Sequence, residues 1–292
     1  MARFRDPFIG RHYQDEPQIV GQGVRSWITR GRNFAIVYTE LGAGARLAAD
    51  FVDEHVVYIV DGALEIAAGA ERAALQGEGL AIVPPGESVI GASEDTAFVQ
   101  VVTDAEPLAA LAANAALYAD GAPEVTPTRA WPEPKGGYRL RTYALADVYA
   151  TGGMVNAFRT RKLMVVPYAR FLEPRDETQL TPHAHQDFEQ ASVALEGDWI
   201  HHLRVPWGAN RQDWRPDAHP ELGSPSTTII PAGVIHTSQG VAGDGMRLVD
   251  VFSPPRADFS LRPGVVRNAE DYPLPAELAA AWERALEGLR PA

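Results

Sequence analysis

The chain contains no cysteine. This excludes disulfides, thiolate metal ligands and a cysteine nucleophile. Any bound metal has to be held by imidazole, carboxylate or amide groups. Lysine occurs only at Lys135 and Lys162, so a Schiff-base mechanism has few candidates. No apolar run is long enough to span a membrane. The N-terminus, M-A-R-F-R-D-P-F-I-G, lacks the apolar core of a signal peptide. Cytoplasmic residence is therefore expected. No G-x-S-x-G, P-loop or dinucleotide fingerprint stands in a fitting context, and G-A-G-A at Gly42–Ala45 reads as a strand connection. A basic stripe is missing too. Net charge is −12, so neither nucleic acid nor a membrane surface is an expected partner.

The remaining composition, 46% apolar and 22% charged over 292 residues, is that of a soluble globular chain long enough for two domains. Most of it reads as short strands. Phe34–Leu41, His55–Ile66, Gly79–Val83 and Ala97–Thr103 are rich in β-branched and aromatic residues between Gly, Pro and Asp. A helical stripe fits Pro107–Tyr118. The proline-rich stretch Asp120–Gly137 reads as a connection. Strand-like runs resume at Lys162–Phe171, Glu189–Leu195, Trp199–Val205, Thr227–Ile230 and Met246–Phe252. A last amphipathic helix fits Ala276–Leu289, with Pro275 in its first turn.

The two halves repeat one another. Gly62 in V-Y-I-V-D-G-A-L aligns with Gly197 in S-V-A-L-E-G-D-W, each closing one strand and opening the next. Pro84-Pro85-Gly86 aligns with Pro231-Ala232-Gly233, and the extra residues of the second half fall in Pro206–Gly223. The expectation is an all-β chain of two antiparallel barrels with a few short helices. Residues 1–125 form the first barrel and 126–292 the second.

The chemistry concentrates in the second half. His183 and His185 stand two apart in T-P-H-A-H-Q-D-F-E-Q, and on a strand that spacing puts both imidazoles on one face. His236 follows P-A-G-V-I, so a tight turn delivers it from a neighbouring strand. The fourth ligand is Gln190 or Glu189. Alternation favours Gln190, because Ser192 and Ala194 then face the pocket while Val193 and Leu195 pack outside; Glu189 is the alternative. Three imidazoles suit Fe, Mn, Ni, Zn or Cu. One divalent transition metal per chain is expected.

The pattern H-x-H, a fourth ligand, Gly197, then P-x-G-x-x-H resembles the cupin superfamily. Because both halves share the scheme, the chain resembles a bicupin, which implies double-stranded β-helix (jelly-roll) barrels. It departs from the family pattern in three places. The leading glycine is missing, Pro225 stands where a glycine precedes the second motif, and Gly240 replaces its asparagine. The run Val251–Phe259 resembles cupins that process pectin-derived uronates, some of which use His, His, Gln and His. In the first half the ligand positions become Ala48, Asp50, His55 and Val89, so that barrel is expected to hold no metal.

Around the site, His201 and Glu189 are candidate proton carriers. Arg170, Trp199 and Arg204 are candidate substrate contacts, and Pro206–Gly223 is a candidate lid. A neutral ligand shell leaves a metal ion its full charge. That favours a Lewis-acid isomerase or lyase acting on a small polar carbonyl compound such as a sugar acid. An Fe(II) dioxygenase is the alternative, and a non-catalytic small-molecule binder the third reading. Cupin barrels often pair through sheet faces, so a homodimer is expected.

Overall fold

The computed structural model describes residues 4–153 and 155–288. In chain order the first part comprises β1 (Phe8–Arg11), β2 (Ile19–Gly21), β3 (Val24–Arg30), β4 (Ala35–Leu41), β5 (Arg46–Phe51), β6 (His55–Ile59), β7 (Ala63–Ala68), β8 (Glu71–Gln76), β9 (Gly79–Val83), β10 (Gly86–Ala92), β11 (Thr96–Val102) and α1 (Glu106–Ala109). The second part comprises β12 (Arg141–Ala144), α2 (Leu145–Ala150), β13 (Phe158–Arg159), β14 (Met164–Pro167), β15 (Gln190–Arg204), β16 (Glu221–Leu222), β17 (Ser226–Ile230), β18 (Ile235–Phe252), α3 (Ala257–Ser260) and α4 (Ala276–Gly288).

The first barrel is closed by a seven-stranded sheet, β12-β9-β6-β11-β4-β3-β2, facing a four-stranded one, β5-β10-β7-β8. The chain changes sheets at Gly62, whose φ of 98° suits a residue without a Cβ. The single strand expected over His55–Ile66 is therefore two, β6 and β7. Leu64, Ile66, Val57, Ile59, Phe98 and Ile90 fill the interior between these sheets. The helical stripe expected at Pro107–Tyr118 forms only α1 and a later 3₁₀ turn, Ala115–Tyr118.

The second barrel is built on β1-β17-β15-β18-β14-β13, with β16 added to β15. Here the alignment with the first half fails in one respect. Gly197 (φ 77°) bends the chain but does not end a strand. β15 and β18 pair from Gln190↔Phe252 to Arg204↔Ile235, absorbing the irregularity as bulges around Glu196–Asp198. A Cβ on Gly197 would sit 2.4 Å from Met246 Cγ and 2.9 Å from the Ala242 carbonyl.

Pairing crosses the 125/126 line twice. β1 lies on β17 of the second barrel, and β12 lies on β9 of the first. His12, just after β1, stacks on Tyr38 (5.3 Å, 4°) and bonds to Thr227 Oγ1 at 2.9 Å. The large sheets meet through their outer faces. Trp27, Ile36, Tyr38, Val56, Tyr58 and Val99 pack against Val165, Ala191, Val193, Ile229, Val249 and Val251 in one buried cluster. Each of the larger aliphatic side chains among them contributes roughly 1.5–3 kcal/mol by leaving water. The outer faces of the two large sheets are thus consumed within one chain. Of the terminal helix, α4 begins at Ala276 as expected, with Leu278 and Trp282 partly buried; Leu289 lies outside the described residues.

Candidate metal centre

Period-two alternation in β15 decides which residues enter the second barrel. Ala191 and Val193 join the apolar layer between the barrels, so Gln190, Ser192 and Ala194 face inward. On β18 their partners Phe252, Asp250 and Leu248 face the same way. Further along the pair, Leu203 lies opposite His236 and His201 opposite Ser238. His183 is not on a regular strand. A doubly hydrogen-bonded bridge fixes it against His236, with His183 N donating to His236 O (3.1 Å) and the reverse bond at 2.8 Å. The Gly233 amide donates to the His185 carbonyl at 2.6 Å, so the P-A-G turn holds the second histidine.

One ligand nitrogen from each of His183, His185 and His236 lies within 4.8 Å of the others. Gln190 Oε1 stands 3.1 Å from both His185 Nε2 and His236 Nε2. The proton positions around this contact follow from its neighbours. His183 Nδ1 and His236 Nδ1 each sit 2.9 Å from a backbone carbonyl, of Thr181 and Val234, and must donate to it. Burial, with the nearby Arg256 charge second for His185, pushes His185 down to about 3; burial pushes His236 down to about 4. His236 is therefore neutral with its one proton on Nδ1, and its Nε2 is bare.

The amide of Gln190 is oriented by a relay. Gln190 Nε2 donates to Ser192 Oγ at 2.9 Å, and Ser192 donates to Asp250 Oδ1 at 2.6 Å. Tyr168 donates to the other Asp250 oxygen at 3.0 Å. Two hydroxyl donors on one carboxylate leave Ser192 only an acceptor for the amide N–H. Gln190 must then turn its oxygen to the imidazoles. Bare nitrogen and carbonyl lone pairs meeting at 3.1 Å repel unless a cation lies between them. Neighbouring ligands about 2.1 Å from one ion are separated by roughly 3 Å. The donor set fits a divalent transition metal.

The surroundings are apolar on one side. Phe188 stacks on the His185 ring (4.5 Å, 19°) and Phe252 meets it edge-on (5.6 Å, 89°). His201 is fully enclosed, with Nδ1 2.8 Å from Ser238 Oγ and Nε2 without a partner among the described residues. Burial pushes it down to about 3. Burial raises Asp250, while the hydroxyl bonds from Ser192 and Tyr168 oppose the rise. Arg256 lies over the Phe259 ring at 3.7 Å and pairs with Asp258 at 2.7 Å.

Glu189 has to be removed from the candidate ligands and proton carriers. It points out of the barrel toward the first domain, accepting the Tyr118 hydroxyl at 2.7 Å and the Arg32 amide at 2.6 Å. Arg204 is directed to solvent, bidentate on Asp217, because its neighbour Leu203 takes the inward position. Arg170 lies 3.8 Å from Glu196 at the bulged end of the barrel, away from the imidazoles. Trp199 faces inward but is packed with Met246 and Phe171, its Nε1 donating to the Glu196 carbonyl. It closes the far end of the barrel.

The reading from sequence overlooked Asp250, Tyr168 and Arg256. Only Asp250 carried a local signal, its parity with Phe252. In the first barrel Phe51 points inward against His55 (4.9 Å), so exposed Asp50 points outward and the two cannot share an ion.

No family model matches the sequence, and no curated protein matches it. Solved structures do. AerE from Microcystis aeruginosa superposes with a TM-score of 0.56 at 9% identity, covering 86% of this chain and 99% of that one. The Ylba protein of E. coli, of the family model DUF861, gives 0.56 at 11%, covering 88% and 94%. A mutant of Bacillus subtilis oxalate decarboxylase gives 0.55 at 13%, covering 87% and 81%. The chain has the cupin fold. Its two barrels make it bicupin-like, as the repeat of its two halves implied.

Proposed function

We propose that the chain is a metal-dependent enzyme acting by Lewis-acid chemistry on a small polar carbonyl compound, of which a sugar acid fits best. The carrying observation is the confrontation of His236 Nε2 with Gln190 Oε1 at 3.1 Å, with Nδ1 of the same ring committed to the Val234 carbonyl, which a cation between them would relieve. A divalent ion held by His183, His185, Gln190 and His236 would supply a Lewis acid of full charge, since none of the four side chains is anionic. Fe, Mn, Ni and Zn all suit this set.

The remaining roles belong to the protein's own groups. Asp250 is the proton carrier. Burial raises its affinity for a proton above that of a solvated carboxylate, the direction a general base needs. Tyr168 donates to it at 3.0 Å and fixes its orientation. His201, neutral through burial, is enclosed in the barrel wall and holds Ser238 through Nδ1, so it supports the site and does not touch substrate. Arg256, 5.0 Å over the Phe252 ring that meets His185, is a cation that could receive a substrate carboxylate. Phe188 and Phe252 exclude water from one side.

The test is isomerisation or ring-opening of uronates by anaerobically purified, metal-loaded protein. Activity without oxygen, abolished by chelation and reduced at least 100-fold by Asp250→Asn, is expected. Stoichiometric oxygen uptake would instead support the Fe(II) dioxygenase, whose chemistry the same neutral shell also suits. Full activity in chelated protein would sink both.

A further inference from the structure

We propose that the insertion between β15 and β16 carries a second binding site, a platform for the pyranose rings of a neutral carbohydrate chain. Trp207 and Trp214 stack in parallel there, with ring centres 4.5 Å apart and planes 7° from each other. Trp207 is 71% exposed and Trp214 40%. Large indoles left in water are costly unless something uses them.

The loop is built to hold this pair. Trp214 Nε1 donates to the Gly208 carbonyl at 2.8 Å. The Asn210 side chain caps the intervening turn, accepting the Gln212 amide and donating to Asp213. The first barrel has no counterpart of this insertion, and neither indole joins a core cluster among the described residues. Beside the stack lies a cleft of about 550 Å³ lined by Arg204, Val205, Pro206, Trp207, Arg215 and Asp217.

The charges around it name the ligand class. Arg204 is paired bidentately with Asp217, and Arg215 with Asp6. The rim is therefore dipolar, with donors and acceptors side by side and little net charge. A flat apolar face bordered by paired donors and acceptors matches a pyranose. Its axial C–H groups lie on an indole while its equatorial hydroxyls bond at the edge. A polyanion would find both guanidiniums of the cleft, Arg204 and Arg215, already compensated. A protein partner is disfavoured by area: two indoles offer at most roughly 500 Å², short of the roughly 800 Å² that each side of a stable protein pair contributes.

Isothermal titration of the metal-loaded protein with maltopentaose, cellopentaose and mannopentaose tests this. Saturable binding of at least one is expected, weakened at least tenfold by Trp207→Ala and much less by Trp207→Phe. Trp207 is exposed, so Trp207→Ala should keep the parent's circular dichroism and melting temperature. His236→Ala should bind the same sugar unchanged, which separates this site from the metal centre. The proposal is overturned if none of the three sugars binds, or if Trp207→Ala binds as well as the parent. It is also overturned if sedimentation shows that Trp207→Ala splits a dimer, since a second copy would then be the occupant.

Discussion

Gln190 Oε1 lies 3.1 Å from His236 Nε2, and neither atom has a proton to share with the other. Two residues 46 apart in sequence are thus held with lone pairs facing. The holding groups lie elsewhere: the Val234 carbonyl commits the histidine, and Asp250 commits the amide through Ser192.

That relay predicts a metal-affinity effect from a residue that is no ligand. Ser192→Ala frees the amide to rotate. Metal affinity, measured by competition with a chromophoric chelator, is expected to fall roughly 10- to 100-fold, as for other partners of metal ligands. An unchanged affinity would show that packing alone orients Gln190.

His183→Ala and His236→Ala each remove one donor from the cluster. Metal per chain after gel filtration, read by elemental analysis, should drop to near zero in both. Retention of stoichiometric metal would end the reading of this centre.

Glu189→Gln separates the two adjacent side chains. The change should leave metal content untouched, because Glu189 serves Tyr118 and Arg32 instead. Loss of its charge-assisted bonds is expected to cost about 1–3 kcal/mol of stability. Urea denaturation measures the loss. A large drop in metal content with intact stability would restore Glu189 as a ligand.

Glu54 predicts a pH dependence. Burial drives its carboxyl up to about 7, against the opposing Tyr272 hydroxyl bond at 2.6 Å. A raised value in the folded state means that its contribution is complete below the ordinary carboxylate range and is lost as pH rises through about 7. Glu54→Gln cannot ionise. Relative to the parent, it should gain on the order of 2 kcal/mol between pH 5 and pH 8. Parallel stability curves for the two proteins would contradict this. The neutral buried histidines His12 and His55 act in the opposite direction, losing their contribution as pH falls, but equally in both proteins.

Much of the centre was legible in the amino-acid order. H-x-H, the P-x-G-x-x-H turn and the duplicated strand scheme are local patterns, and local patterns survive in a linear string. The preference for Gln190 over Glu189 followed from parity alone, since a strand facing an apolar layer must turn Val193 outward and the amide inward. What parity could not supply was the fate of the outward residue. Glu189 is claimed by Tyr118, 71 positions away, and by Arg32, 157 away.

The sequence by itself determined an all-β chain, two related halves, and an imidazole cluster in the second. Only the tertiary structure decided that β1 and β12 exchange between barrels, that β15 runs unbroken past Gly197, and that Asp250 backs Gln190 through Ser192 while Arg170 pairs with Glu196 and Arg204 with Asp217. Alternation and turn chemistry act over a few residues and can be read from their order. Strand pairing and the compensation of buried charge act across the whole chain, where distance in sequence carries no information about distance in space.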